Sequence, residues 1–115
     1  LLYRPIVVDL ATSLASIMET TDSPISASAA LVEGFARNME IPAEQLELVY
    51  DALLARAILI VQLLQFRAEN TDADASLADE DIPLVTRGLE QVLTMKRSEF
   101  YDALRGAASS RSADA

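Results

Sequence analysis

Apolar residues recur every three or four positions along four stretches of the chain, and short runs of polar and turn-forming residues separate these stretches. This periodicity is typical of helices that share a core and predicts an all-α fold with four helices. We expect residues 1–106 to form a single helical domain and the small residues of 107–115 to form a disordered tail. The helices are predicted at residues 4 to about 20, 24 to about 38, 43 to 66–68, and 81 to 106.

The first predicted helix, RPIVVDLATSLASIM, carries apolar side chains on every side. Pro5 suits its first turn, where the missing N–H is not needed. A helix that is apolar all round is expected to be buried all round. Asp9 is the only acid in this stretch, and a buried carboxylate needs a partner because an unpaired buried charge is costly.

The second helix has a clear predicted start. Ser23 is a favourable N-cap residue and Pro24 fits the first helical position. The spacing of Leu31, Phe35 and Met39 predicts that these three side chains form its buried stripe, with Ile25 and Ser28 leading into it.

The third helix has two apolar faces. From Leu53 onward it is predicted to be buried on most sides, with Arg56 and Gln62 as polar intrusions. One face consists of Leu46, Val49, Leu53, Ile60 and Leu64, and the other of Tyr50, Leu54, Ile58 and Val61.

Residues 69–81 carry a cluster of acids without an apolar stripe, which predicts an exposed loop. Asp72, Asp74 and Ser76 match the start of a calcium-binding loop. The match then fails, because Leu77 stands where the turn needs glycine and a proline stands where a bidentate glutamate is needed. The sequence therefore argues against a calcium site.

The fourth helix is predicted to begin at Asp81 as N-cap, with Pro83 in the first turn, and to end at Gly106. Its apolar residues keep helical spacing throughout, which predicts one continuous stripe. This stripe consists of Ile82, Val85, Leu89, Val92, Phe100 and Leu104.

Charge and composition narrow the classes of function. The 115 residues include 18 acids and 9 bases, which give a net charge of −9. Nucleic-acid and anionic-membrane binding both require a basic surface, so neither is expected. The longest apolar run is shorter than the roughly 20 residues that span a bilayer, and no signal peptide is visible. The absence of cysteine fits a reducing compartment, and we expect a cytoplasmic protein.

No catalytic, cofactor-binding or metal-binding constellation can be assembled from these residues. Histidine and cysteine are both absent, which excludes thiol nucleophiles and histidine acid–base chemistry within this chain. The three glycines are isolated, so no phosphate-binding loop is present. Asp9 and Arg56 stand out because each lies on an apolar helix. They either form a buried ion pair with each other or cap backbone groups in the core, or Asp9 holds a loop that lies outside this chain.

Three segments together resemble the aminoglycoside phosphotransferase-like small-molecule kinases, which include choline, homoserine and hydroxylysine kinases. Residues 2–11, LYRPIVVDLA, resemble the segment that follows the metal-binding Asp-Phe-Gly-type motif in that family. Gly34–Phe35 matches the Gly-aromatic pair that ends the family's next helix. Residues 46–56, LELVYDALLAR, resemble the long helix that comes after it. The resemblance covers roughly positions 2 to 66 in order.

The resemblance implies that the chain corresponds to the C-terminal helical subdomain of a protein-kinase-like fold and shapes the acceptor-substrate pocket. Asp9 would then correspond to the aspartate that accepts backbone N–H bonds from the catalytic loop, as a support and not as a base. The residues that bind ATP and Mg²⁺ would all lie upstream, so the chain alone is not expected to transfer phosphate. We also expect the N-terminus to be that of a fragment. The parent's acceptor would be a small hydroxyl compound, and the amine acceptors that are common in the family would suit the acidic excess of this chain.

An alternative from a different class is a free-standing acidic helical bundle that acts as a protein-interaction or dimerisation module. If the upstream half were missing, the first helix would expose an apolar face, and a homodimer would cover it. The upstream coding sequence discriminates between these readings, because the kinase hypothesis requires an Asp-Phe-Gly-like triplet immediately before Leu1.

Overall fold

The computed structural model describes residues 6–70 and 77–114, with side chains up to residue 109. Within these ranges every regular element is helical, which confirms the all-α prediction. The elements are α1 (Ile6–Met18), α2 (Pro24–Ala36), α3 (Ala43–Asn70), a π-helical turn (Leu77–Asp81), α4 (Ile82–Thr94) and α5 (Arg97–Asp114).

Helix α1 packs against α2, α3 and α4, and it buries one face only. Val8 is 43% exposed and Ser16 is also exposed, so the prediction that this helix is buried all round is wrong. The packed face uses leucine and alanine at three- and four-residue spacing, because the neighbouring helices all lie on that side. The buried residues are Val7, Leu10, Ala11, Leu14, Ala15 and Met18.

Helix α2 begins at Pro24, as predicted, and Ser23 occupies the N-cap position, but the Ser23 side chain forms no capping hydrogen bond. Its buried stripe is rotated relative to the predicted one, because α2 packs against α5 through smaller side chains. Leu31 and Phe35 are half-buried, and Met39 lies beyond the helix and is 42% exposed. Ser28 is buried, as predicted, and the other buried residues are Val32 and Ala36.

Helix α3 extends over 28 residues and packs against α1, α4 and α5. Its inner face carries the buried residues Leu46, Val49, Tyr50, Leu53, Ala57 and Val61. The predicted burial on most sides from Leu53 onward is wrong, because the side of α3 away from these neighbours is open to solvent. We call the apolar residues on that side the outer stripe: Leu48 is 56% exposed, Leu59 60%, Leu63 45% and Phe66 62%.

The predicted fourth helix is divided into the π-helical turn, α4 and α5. Asp81 has helical backbone angles and forms no side-chain cap, so it does not act as the predicted N-cap. The helix is interrupted at Met95, whose backbone is extended (φ −77°, ψ 140°). Helix α5 continues through Gly106 to Asp114, over most of the stretch for which the sequence predicts a disordered tail.

The break at Met95 redirects the chain so that α5 can cover α2 and the start of α3. Phe100 becomes fully buried and its ring meets the Tyr50 ring edge-on, with centroids 5.7 Å apart. The Tyr50 hydroxyl donates a hydrogen bond of 3.1 Å to the Val92 carbonyl, which satisfies the one polar atom of this buried ring. These contacts tie both halves of the predicted fourth helix to α3.

Helix α4 also fixes the connection between α1 and α2. The Arg87 guanidinium donates to the Glu19 carbonyl at 2.9 Å and to the Asp22 carboxylate at 2.7 Å. The Gln91 side-chain amide donates to the Thr21 carbonyl. Gly88 allows the close approach, because a Cβ at this position would lie 3.2 Å from Glu19 Cγ.

The molecule is flat, with principal extents of 54 × 36 × 19 Å and a Cα radius of gyration of 15.7 Å. A compact domain of this length is expected to have a radius of gyration of about 13 Å. A thickness of 19 Å corresponds to about two helix diameters, so helices such as α3 pack on one side and face solvent on the other.

Candidate functional site

Asp9 lies in the first turn of α1, where the sequence analysis placed its candidate support residue. It is half-buried, between the exposed Val8 and the fully buried Leu10. A carboxylate in this position interacts favourably with the positive end of the helix dipole, and it can accept hydrogen bonds from backbone N–H groups. Asp9 therefore lies at an end of the core helix where α1 leaves part of its surface uncovered.

Arg56, the other candidate, lies on α3 and is exposed. It forms no ion pair with a described residue, so the structure does not bring Asp9 and Arg56 together. Arg56 is exposed because the helices that contact α3, namely α1, α4 and α5, do not cover its side chain. The predicted buried ion pair is thus not formed among the described residues.

An apolar groove of about 450 Å³ runs along the solvent side of α2 and the turn that follows it. It contains the Gly34–Phe35 pair on which the family resemblance partly rests. Gly34 has nothing within 4 Å of its missing Cβ, so it leaves the groove open. The lining residues are Ala30, Leu31, Gly34, Phe35, Asn38 and Met39.

A second feature, which no pattern in the sequence predicts, joins α3 to the start of α5. Arg97 forms an ion pair of 2.7 Å with Asp51 and lies over the Tyr50 ring, with its guanidinium carbon 4.7 Å from the ring centroid. The hydrogen bond from Arg97 is the main reason why the pKa of the Asp51 carboxyl is lowered. Both side chains are more than half exposed, so this cluster orients α5 on α3 and adds little stability.

Glu19 lies beside a small cavity between α1, α3 and α4. Burial raises the pKa of the Glu19 carboxyl, and the negative charge of Asp81 raises it further. The backbone carbonyl of Glu19, and not its carboxylate, accepts the hydrogen bond from Arg87. The carboxylate is therefore held near apolar surface, and no cation among residues 6–70 and 77–109 forms an ion pair with it.

The described residues contain no group of three or more acids that could hold a metal ion. Asp72, Asp74 and Ser76, the residues of the rejected calcium pattern, lie outside the described residues. None of the helices that the structure describes combines the length and the apolarity needed to cross a bilayer.

Comparisons of the chain with protein-family models, with curated proteins and with solved structures found no match. The geometry of Asp9 and of the groove on α2, together with the sequence, is therefore what a functional proposal can rest on.

Proposed function

We propose that this chain is the C-terminal helical part of an ATP-dependent phosphotransferase that resembles the aminoglycoside phosphotransferase-like kinases. In this proposal it supports the catalytic loop, shapes the acceptor-substrate pocket and is inactive alone. The observation that carries the proposal is Asp9: a half-buried carboxylate at the start of the core helix α1, within the stretch LYRPIVVDLA.

The position of Asp9 suits a support role. A carboxylate that accepts backbone N–H bonds is satisfied by them and at the same time fixes the loop that donates them. The exposed Val8 beside it leaves apolar surface on which an upstream segment can pack. The proposal assigns the binding of ATP and Mg²⁺ to residues upstream of this chain, because residues 2–11 resemble the segment that follows the metal-binding motif in that family.

The groove on α2 suits the second part of the proposal. It is lined mainly by apolar side chains, and it surrounds the Gly34–Phe35 pair. A concave apolar surface provides contact area for a small acceptor, while the catalytic groups come from another part of the protein. The net charge of −9 is compatible with an acceptor that carries an amine.

The first experiment reads the coding sequence upstream of Leu1. We expect an Asp-Phe-Gly-like triplet immediately before it and a His-Gly-Asp…Asn-like catalytic loop about twenty residues earlier. A stop codon or an unrelated start at that position would contradict the proposal. Isothermal titration of the 115-residue chain with Mg·ATP is expected to give no binding.

The second experiment replaces Asp9 in the longer protein. We expect Asp9→Ala to lower kcat by about 100-fold, because a loop displaced by about 1 Å misaligns the reacting groups. The Michaelis constant for ATP should change little, since Asp9 does not contact the nucleotide in this proposal. Asp102→Ala, an exposed acid on α5, is the matched control and should retain activity. An Asp9→Ala protein with unchanged kcat and unchanged stability would show that the assignment is wrong.

A further inference from the structure

We infer that the outer stripe of α3 is the interface of a parallel, two-fold symmetric dimer of this chain. The inference does not rest on the proposed function, because it uses only the outward face of one helix. Leu48, Leu59 and Phe66 are each more than half exposed, and they extend over about 27 Å of helix. Exposed apolar surface of this extent marks an interaction site more often than it occurs by chance.

The outward positions of α3 follow a coiled-coil repeat. Alternating steps of four and three residues keep apolar positions on one seam, as in helices that supercoil around a partner. The two alanines at the centre of the seam allow the backbones to approach closely. The seam consists of Leu48, Ala52, Ala55, Leu59, Gln62 and Phe66, of which Gln62 is polar and Ala52 is half-buried against the core.

The residues that flank the seam favour a parallel over an antiparallel arrangement. Ala52, Leu59 and Phe66 occupy the a positions of this repeat. In a parallel pair, each residue before an a position faces the residue five places later on the partner helix. Asp51 then faces Arg56 of the second copy, and Ile58 faces Leu63. An acid therefore meets a base and an apolar residue meets an apolar residue, and the two-fold axis repeats each pair. In an antiparallel pair, the residues that precede a positions face one another across the seam, and so do the residues that follow d positions. Asp51 and Arg56 belong to different sets and therefore do not meet.

The proposed pairing also fits the state of both charged residues. Arg56 is exposed and forms no ion pair with the described residues, so its guanidinium is available. Asp51 uses Oδ1 for Arg97, which leaves Oδ2 for a second guanidinium. A carboxylate can accept from both.

Electrostatic repulsion is low along this surface although the chain is strongly acidic. Residues 48–66 contain one acid and one base, whereas the whole chain carries a net charge of −9. Two copies that meet along this stretch keep their acidic residues apart from one another. A second copy of the chain is thus a suitable partner for the outer stripe, because it offers apolar side chains, opposite charges at the flanking positions and little net charge along the contact.

Sedimentation equilibrium of the full chain, from low micromolar to near-millimolar concentration, tests the interface. We expect a monomer–dimer equilibrium that Leu59→Glu shifts towards monomer by at least about 10-fold in Kd, since a buried unpaired charge is costly. Leu93→Glu replaces a leucine of equal exposure, 60%, on α4 away from the stripe, and should leave the Kd unchanged. Far-ultraviolet circular dichroism confirms that both variants are folded. A chain that is monomeric throughout, or a dimer that Leu59→Glu does not weaken, overturns the inference.

A charge exchange tests the parallel register. Asp51→Lys alone and Arg56→Glu alone each place like charges opposite one another, so both are expected to weaken the homodimer, and Asp51→Lys also loses the ion pair with Arg97 of its own chain. A mixture of the two variants restores an attractive pair on both sides of the seam and is expected to form a heterodimer with a Kd near that of the unmodified chain. A mixture that associates no better than either variant alone contradicts the register.

Cross-linking gives an independent measurement, because the chain contains no cysteine. In a parallel pair, Leu48→Cys and Phe66→Cys each place two identical thiols across the seam, so each variant alone should form a disulfide-linked dimer under mild oxidation. In an antiparallel pair, only the mixture of the two variants would cross-link. That outcome, or the absence of any cross-link, overturns the parallel dimer.

Discussion

The two faces of α3 have similar composition and opposite environments. The inner face buries Leu46 and Leu53 almost completely, whereas in the outer stripe Leu59 is 60% exposed and Phe66 is 62% exposed. Leucine has the same transfer free energy on either side, so side-chain hydrophobicity does not decide which face is covered. Coverage depends on where α1, α4 and α5 lie, and all three pack on the inner side. An apolar helix face thus indicates that burial is favourable, but it does not indicate which element, if any, packs against it.

The largest change in the free energy of unfolding is expected from a substitution on the inner face of α3. Leu53→Ala removes a fully buried side chain and should lower the free energy of unfolding by about 2–5 kcal/mol. Leu59→Ala makes the same chemical change on the outer stripe, and in dilute solution, where the chain is monomeric, it should change this free energy by less than about 0.5 kcal/mol. Urea unfolding followed by circular dichroism measures both. Equal losses for the two variants would mean that the faces do not differ as described.

An intermediate effect is expected where α4, one cover of the inner face, is fixed to the α1–α2 connection. Arg87→Ala removes hydrogen bonds to the Glu19 carbonyl and to the Asp22 carboxylate. Because the Arg87 side chain is 39% exposed, the expected loss is only about 1 kcal/mol. Thermal unfolding should show a lower Tm for this variant. Arg105→Ala removes an exposed arginine from α5 and should leave the Tm unchanged.

The smallest effect concerns Glu19, at the edge of the cavity beside the inner face. Its pKa is raised in the folded chain from the ordinary 4.5, so the folded state binds a proton more tightly than the unfolded state does. The stability contributed by protonated Glu19 is therefore present below about pH 4.5 and is lost as the pH rises through the folded-state pKa. Glu19→Gln should stabilise the chain slightly at pH 7, and this gain should vanish in acid.

Urea titrations at pH 7 and pH 4 measure the Glu19→Gln difference. Glu90→Gln is the matched control, because it removes one exposed carboxylate from α4 without changing the cavity. A gain of equal size for both variants would assign the effect to the lower net charge of the chain. A loss of stability for Glu19→Gln at pH 7 would contradict the role of burial at this residue.

Local sequence patterns determined the existence of the helices and several of their boundaries. Helical periodicity and the Ser23–Pro24 start fixed the beginning of α2, and α3 was placed within a few residues of its observed end. These features depend on backbone propensity and capping, which act over a few residues and can therefore be read from adjacent positions.

Only the tertiary structure decided which apolar faces are covered. The burial of Val32 instead of Leu31 depends on how closely α5 approaches α2, and the exposure of Leu59 depends on the absence of a described helix on that side. The break at Met95 has no proline or glycine signal, because it is stabilised by the burial of Phe100 against Tyr50, a residue 50 positions away in the chain. Such long-range contacts balance local helix propensity against packing, and a single sequence does not reveal that balance. The all-α architecture was thus a property of the sequence, and the two-sided character of α3 was a property of the fold.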